Sequence, residues 1–157
     1  MDLSWDEIRE RAILFSEEWS KDFDEEKEAK KFLFAFYEVF GMKKNSVSKF
    51  EYRVKKHEGH INYSVLFWKS VLLIETRNKG ANLEIALKQA QEYMPGIKMR
   101  DQPKYILVSN FDTFLLYNRD EKKQTIFKII ELEKHVELFN FIFWLYNERW
   151  GSKTPNR

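Results

Sequence analysis

Cysteine is absent from the 157 residues. That excludes disulfides, Cys-based zinc sites, iron–sulfur clusters and a cysteine nucleophile, and it is compatible with a reducing compartment. Glycine and proline are scarce, at five and three, where average usage would give roughly 19 of the two together. So few backbone breakers rule out a flexible linker protein, a collagen-like repeat and a disordered chain. An excess of one charge is also missing. The 27 basic and 25 acidic residues leave +2, so the global charge points to neither nucleic acid nor a membrane. No apolar run approaches the ~18 residues of a membrane span. The best stretch, Leu138 to Tyr146, is short and interrupted by Asn140. The N-terminus is acidic and helical in pattern, unlike a signal peptide. The reading is a soluble, cytoplasmic protein.

Rings are abundant: 14 Phe, seven Tyr and five Trp make 17% of the chain, enough for a well-packed core. Ser4 and Glu7 form a capping box, and Trp5, Ile8, Ala12, Phe15 and Trp19 recur at helical spacing to about Ser20. After a charged hinge (Lys21 to Lys27), a second helix carries Ala29, Phe32, Leu33, Phe36, Tyr37 and Phe40, with Gly41 as its stop. The period then changes to two. Strands are expected over about Ser48 to Lys55 and Ile61 to Phe67, joined by a turn at His57-Glu58-Gly59-His60. Val71 to Ile74 is a continuous apolar run, the mark of a strand buried on both faces. Asn82 caps a third helix that Pro95-Gly96 ends. Further strands follow at Tyr105 to Val108, Phe114 to Tyr117 and Thr125 to Ile129, and a last helix at about Leu132 to Glu148. The order α-α-β-β-β-α-β-β-β-α gives an α/β fold, a mixed sheet flanked by helices. Its parallel pair is expected where strand, helix and strand succeed one another, between Val71 and Val108. Residues 1–150 read as the domain and residues 151–157 as a loose, polar tail.

The near-neutral total hides a partition. Residues 1–41 hold 12 acidic and six basic residues, whereas residues 42–104 hold 13 basic and six acidic. The sheet-forming middle is therefore basic. A local basic surface attracts phosphate even on a neutral chain, and the plain alternative is a solvated charged face.

Glu75 and Arg77 end the buried strand. Being two apart, they share a face. An acid-x-base pair at a strand end is where metal-dependent nucleases hold Mg²⁺ between carboxylates, which are the oxygen ligands that cation prefers. Alone, such a pair is a weak signal and reads first as a strand-end ion pair.

The surrounding blocks make the pair more specific. They are Leu3-Ser4-Trp5-Asp6-Glu7-Ile8-Arg9, Phe36-Tyr37-Glu38-Val39-Phe40-Gly41, Val54-Lys55-Lys56, Leu66-Phe67-Trp68-Lys69-Ser70-Val71-Leu72-Leu73-Ile74-Glu75, Gln89-Ala90, Tyr93 with Pro95-Gly96, and Pro103 to Ser109. In this order and spacing, from Leu3 to Tyr146, the chain resembles the N-terminal PD-(D/E)xK endonuclease domain of single-chain type II restriction–modification enzymes, the MmeI-like group. The resemblance implies a restriction-endonuclease-like αβββαβ core. It also implies an Asp followed about ten residues later by Glu-x-Lys. Glu75 matches the Glu, but the Asp position falls on Val65 and the Lys position on Arg77. Val65 cannot bind a metal. Arg77 stays charged at any working pH and is no general base, though it can contact phosphate. Asn62 and Ser64 fall on the opposite face by alternation.

Glu38, on the second helix, resembles a helix glutamate that can supply a second carboxylate; a plain surface charge is the alternative. Lys55, Lys56, Lys69 and Lys79 flank the site in sequence, as DNA-backbone contacts or as ordinary surface lysines. Gln89 matches a helix glutamine that either faces the site or faces solvent. His57 and His60 have too few partners for a metal site, and His135 has no visible partner. The leading expectation is a degenerate nuclease-fold domain that binds DNA or serves as a structural module without efficient cleavage, with no cofactor. The alternatives are a working Mg²⁺-dependent nuclease using Glu75 and Glu38, with Glu75 as metal ligand, and a module that docks a methyltransferase or specificity subunit.

Overall fold

The computed structural model describes residues 3–56 and 63–150. Two helices come first, α1 (Trp5–Trp19) and α2 (Glu25–Val39), each with a side-chain cap. Ser4 and Glu7 form the expected capping box, and the Asp24 carboxylate accepts from the Lys27 N–H. The strands are β1 (Glu51–Lys55), β2 (Tyr63–Trp68), β3 (Leu72–Thr76), β4 (Tyr105–Ser109), β5 (Thr113–Asn118) and β6 (Lys123–Lys128). They lie side by side in chain order, every neighbouring pair antiparallel except β3–β4. That parallel pair is closed by a crossover through α4 (Leu83–Gln91), as the strand–helix–strand succession predicts. The result is the mixed α/β sheet flanked by helices that the sequence pattern implies, consistent with a restriction-endonuclease-like fold.

Alternation divides the core into two layers. Leu66, Trp68, Leu72, Ile74, Leu107, Phe114 and Phe127 face α1, α2 and the C-terminal segment. Val65, Phe67, Leu73, Ile106, Val108 and Leu115 face α4, whose Leu83, Ala86, Leu87 and Ala90 cover them. Every residue of β3 is buried, as its unbroken apolar run requires. The first layer holds most of the rings. Phe36 lies 5.3 Å from Phe114 and 5.2 Å from Phe139, centroid to centroid.

Three boundaries differ from the sequence reading. A single helical turn, α3 (Lys44–Val47), precedes β1, which starts at Glu51 and not at Ser48. One turn is too short to show a period; it seats Val47 in the core, fully buried. The last strand ends at Lys128, so Ile129 begins the next segment. The expected helix from Leu132 is two 3-10 stretches, Ile129–Lys134 and Val136–Phe139, followed by α5 (Asn140–Trp150). His135 marks the break. Its Nδ1 lies 3.0 Å from the Glu131 carbonyl, while its backbone N–H bonds three residues back, to Leu132. The side chain thus occupies the acceptor an α-helix would use. His135 is not partnerless, because its ring also stacks on Phe127 at 4.3 Å. The expected turn at His57–His60, Asn62 and the tail 151–157 lie outside the described residues.

Candidate functional site

Strand register decides what surrounds Glu75. Val65 on β2 stands directly opposite it in the antiparallel pair. Directly opposed residues hold their Cβ atoms about 4.5–5.5 Å apart. A carboxylate at position 65 would therefore stand beside that of Glu75, and the residue there is Val65.

Arg77 is the partner that Glu75 has. It follows β3 on the same face as Glu75, and its backbone N–H donates to the Ser109 carbonyl at 2.7 Å. Nη1 stands 2.8 Å from Glu75 Oε2, with the carboxylate fully buried and the guanidinium 9% exposed. The contact is a buried ion pair. Nη2 donates to Gln89 Oε1 at 3.2 Å, which places Gln89 of α4 at the site. The guanidinium lies 3.7 Å from the centre of the Tyr63 ring, an arrangement suited to a planar cation.

A second cation arrives from β1. Lys55 pairs with Tyr63 in register, and its Nζ sits 3.1 Å from the centre of the Tyr93 ring. The Tyr63 and Tyr93 hydroxyls are 2.9 Å apart and hydrogen-bonded. One continuous group therefore links β1, β2, β3 and α4: Lys55, Tyr93, Tyr63, Arg77, Glu75 and Gln89.

The electrostatics follow from burial. It pushes the Glu75 carboxyl above its usual value, against the pull of Arg77 and Lys55. Burial lowers the Lys55 ammonium, with Glu75 opposing. Tyr93 is raised by burial and by its bond to Tyr63.

The remaining sequence candidates are dispersed. Glu38 lies on α2, in the layer across the sheet, where its backbone carbonyl accepts from Arg11 Nη1 at 2.9 Å. The charged groups that act on Glu75 are Arg77 and Lys55, and Glu38 is not among them. Ser64 is on that far face too, bonded through Oγ to the Tyr52 hydroxyl at 2.9 Å. Lys69 sits in the turn at the opposite end of β2. Lys79 serves the α1–α2 connection: its N–H donates to Glu25 Oε1 at 3.1 Å, and its Nζ is 3.9 Å from Asp22. Lys56 is exposed beside Lys55. Sequence reasoning missed Tyr63 and Tyr93 as site residues. The signal was present, because Tyr63 is two residues before Val65 on a strand and Tyr93 is four after Gln89, one helical turn on.

Mg²⁺ does not fit these residues. It wants an accessible oxygen cage, and Glu75 is a single, fully buried carboxylate paired with a guanidinium. Among the described residues no group of three or more His, Cys, Asp or Glu side chains is placed to hold a metal.

The family model for the MmeI N-terminal domain matches residues 10–153. The chain belongs to the MmeI N-terminal domain family. This is the restriction–modification family that the ordered sequence blocks point to. No curated protein and no solved structure matches the chain. In this MmeI-type domain the register of β2 against β3 sets Val65 directly opposite Glu75. Among the described residues, no helix is long and apolar enough to cross a membrane.

Proposed function

We propose that this domain is a degenerate member of its restriction–modification family, which binds DNA without cleaving it efficiently. The observation that carries the reading is Val65 opposite Glu75, with Arg77 holding the carboxylate. Hydrolysis of a phosphodiester by this kind of site needs carboxylates to position a divalent cation, and one of the two is replaced by an isopropyl group. Glu38 offers no replacement from across the sheet, so the reading of a working nuclease built on Glu75 and Glu38 has no support in the geometry. DNA binding is supported by the charge partition. The acidic helices α1 and α2 cover one face of the sheet, and Lys55 and Lys56 lie away from them on the strand edge that borders the site.

The test is a restoration. Purified wild-type protein should leave supercoiled plasmid intact in Mg²⁺, and Glu75→Ala should change nothing. Val65→Asp combined with Arg77→Lys should gain Mg²⁺ binding, read by isothermal titration, and then nicking that Glu75→Ala abolishes. Robust Mg²⁺-dependent nicking by the wild-type protein, lost on Glu75→Ala, would sink the proposal.

A further inference from the structure

We infer that Lys55 and Arg77 have taken over, electrostatically, the place of the divalent cation beside Glu75, so that this face receives a DNA backbone phosphate directly and without metal. The inference rests on the DNA-binding reading above and goes beyond it by naming the ligand group, the residue that meets it and the absence of a metal requirement.

The argument is one of sign. A site with two carboxylates repels phosphate until a divalent cation reverses its charge. Here one carboxylate, Glu75, is paired with Arg77, and a second cation, Lys55, joins the same group of side chains through Tyr93 and Tyr63. Their roles differ. The guanidinium is buried and committed to Glu75 at 2.8 Å, to Gln89 at 3.2 Å and to the Tyr63 ring at 3.7 Å. It compensates the carboxylate and reaches no further. Lys55 then supplies the uncompensated charge. Among the described residues no carboxylate lies within ion-pair distance of its Nζ. The ammonium is partly exposed and is held over the Tyr93 ring at 3.1 Å, and Tyr93 is itself anchored to Tyr63. A lysine fixed in this way has already lost much of the rotamer freedom it would give up on binding. Lys56, next in the chain and exposed, extends the same positive edge. A phosphate needs no base-specific geometry here, only a positioned cation.

The experiment is fluorescence anisotropy of a labelled duplex with the full chain, titrated over a range of salt in EDTA and again in Mg²⁺. The expected result is binding in EDTA, with Mg²⁺ weakening it only as added salt does. Lys55→Ala should lower the affinity several-fold and reduce the slope of log affinity against log salt by about 1, the loss of one phosphate contact. Lys55→Arg should retain both affinity and slope, which separates loss of a charge from loss of folding. Binding that demands Mg²⁺ would overturn this inference and leave the DNA reading standing. So would binding by Lys55→Ala with the wild-type affinity and salt slope. Absence of binding in both buffers would overturn the DNA reading itself, and this inference with it.

Discussion

Glu75 keeps a carboxyl group out of water beside one guanidinium, and the burial has a consequence for stability. The folded-state pKa is raised above 4.5, so the native state holds its proton more tightly than the unfolded chain does. The stabilising contribution is complete below about pH 4.5 and is lost as pH rises through the folded value. Glu75→Gln cannot ionise and escapes that loss. Urea unfolding of both proteins at several pH values should show the variant gaining on the wild type as pH climbs from 4.5 towards neutrality; parallel profiles would contradict the raised pKa. Arg77→Met asks the reverse question. It strands a buried carboxylate, at a cost of about 3 kcal/mol near neutral pH. The cost should shrink in acid, where Glu75 takes up a proton. That Glu75 and Arg77 share a face was legible from a side-chain period of two. That Lys55 and Tyr93 join them was not, because this depends on how β1 pairs with β2 and where α4 ends, both set by contacts distant in the chain.

At the scale of elements, caps and apolar runs were the readable signals. Asn82 begins α4 and accepts from the N–H groups of both Glu84 and Ile85, and the unbroken run in β3 reports burial on both faces. Since α4 carries Gln89 and leads to Tyr93, its cap also steadies the site. Asn82→Ala should cost about 1 kcal/mol, seen as a lower urea midpoint with an unchanged m-value. The C-terminal segment was misread for a reason visible in its residues. Leu132, Val136 and Phe139 are spaced four and three apart, as an α-helix requires, and all are buried. Two 3-10 stretches can bury the same residues. At the break between them one imidazole bonds one carbonyl, a contact that hydrophobic periodicity does not report. The single turn of α3 escaped notice because four residues cannot display a 3.6-residue repeat.

For the whole molecule, the two layers are unequal. The face under α1 and α2 holds the ring cluster, while the core under α4 is smaller, aliphatic apart from Phe67 and Met94, and borders the site. Stability should therefore be concentrated on the side away from the proposed DNA surface. Phe36, in contact with the rings of Phe15, Phe40, Phe114 and Phe139, tests this. Phe36→Ala should cost about 3–5 kcal/mol, measured as a large drop in thermal midpoint. The acidic helices α1 and α2 lie on one face of the sheet, and Lys55 lies on the edge strand β1.

The sheet order repeats the chain order from β1 to β6. During synthesis each new strand therefore emerges next to a partner already made, and none must wait for a distant segment to complete its ladder. The N-terminal layer obeys the opposite schedule. Arg9 of α1 meets Glu137, 128 residues later, at 3.1 Å, and Phe36 meets Phe139. The first helices made are the last to be sealed. Until residues 129–150 have been made, α2 can already cover part of the ring-rich face through Phe32 and Phe36 against Phe114, but the seat of α1 stays incomplete, and that interval leaves its rings open to aggregation and to capture by chaperones.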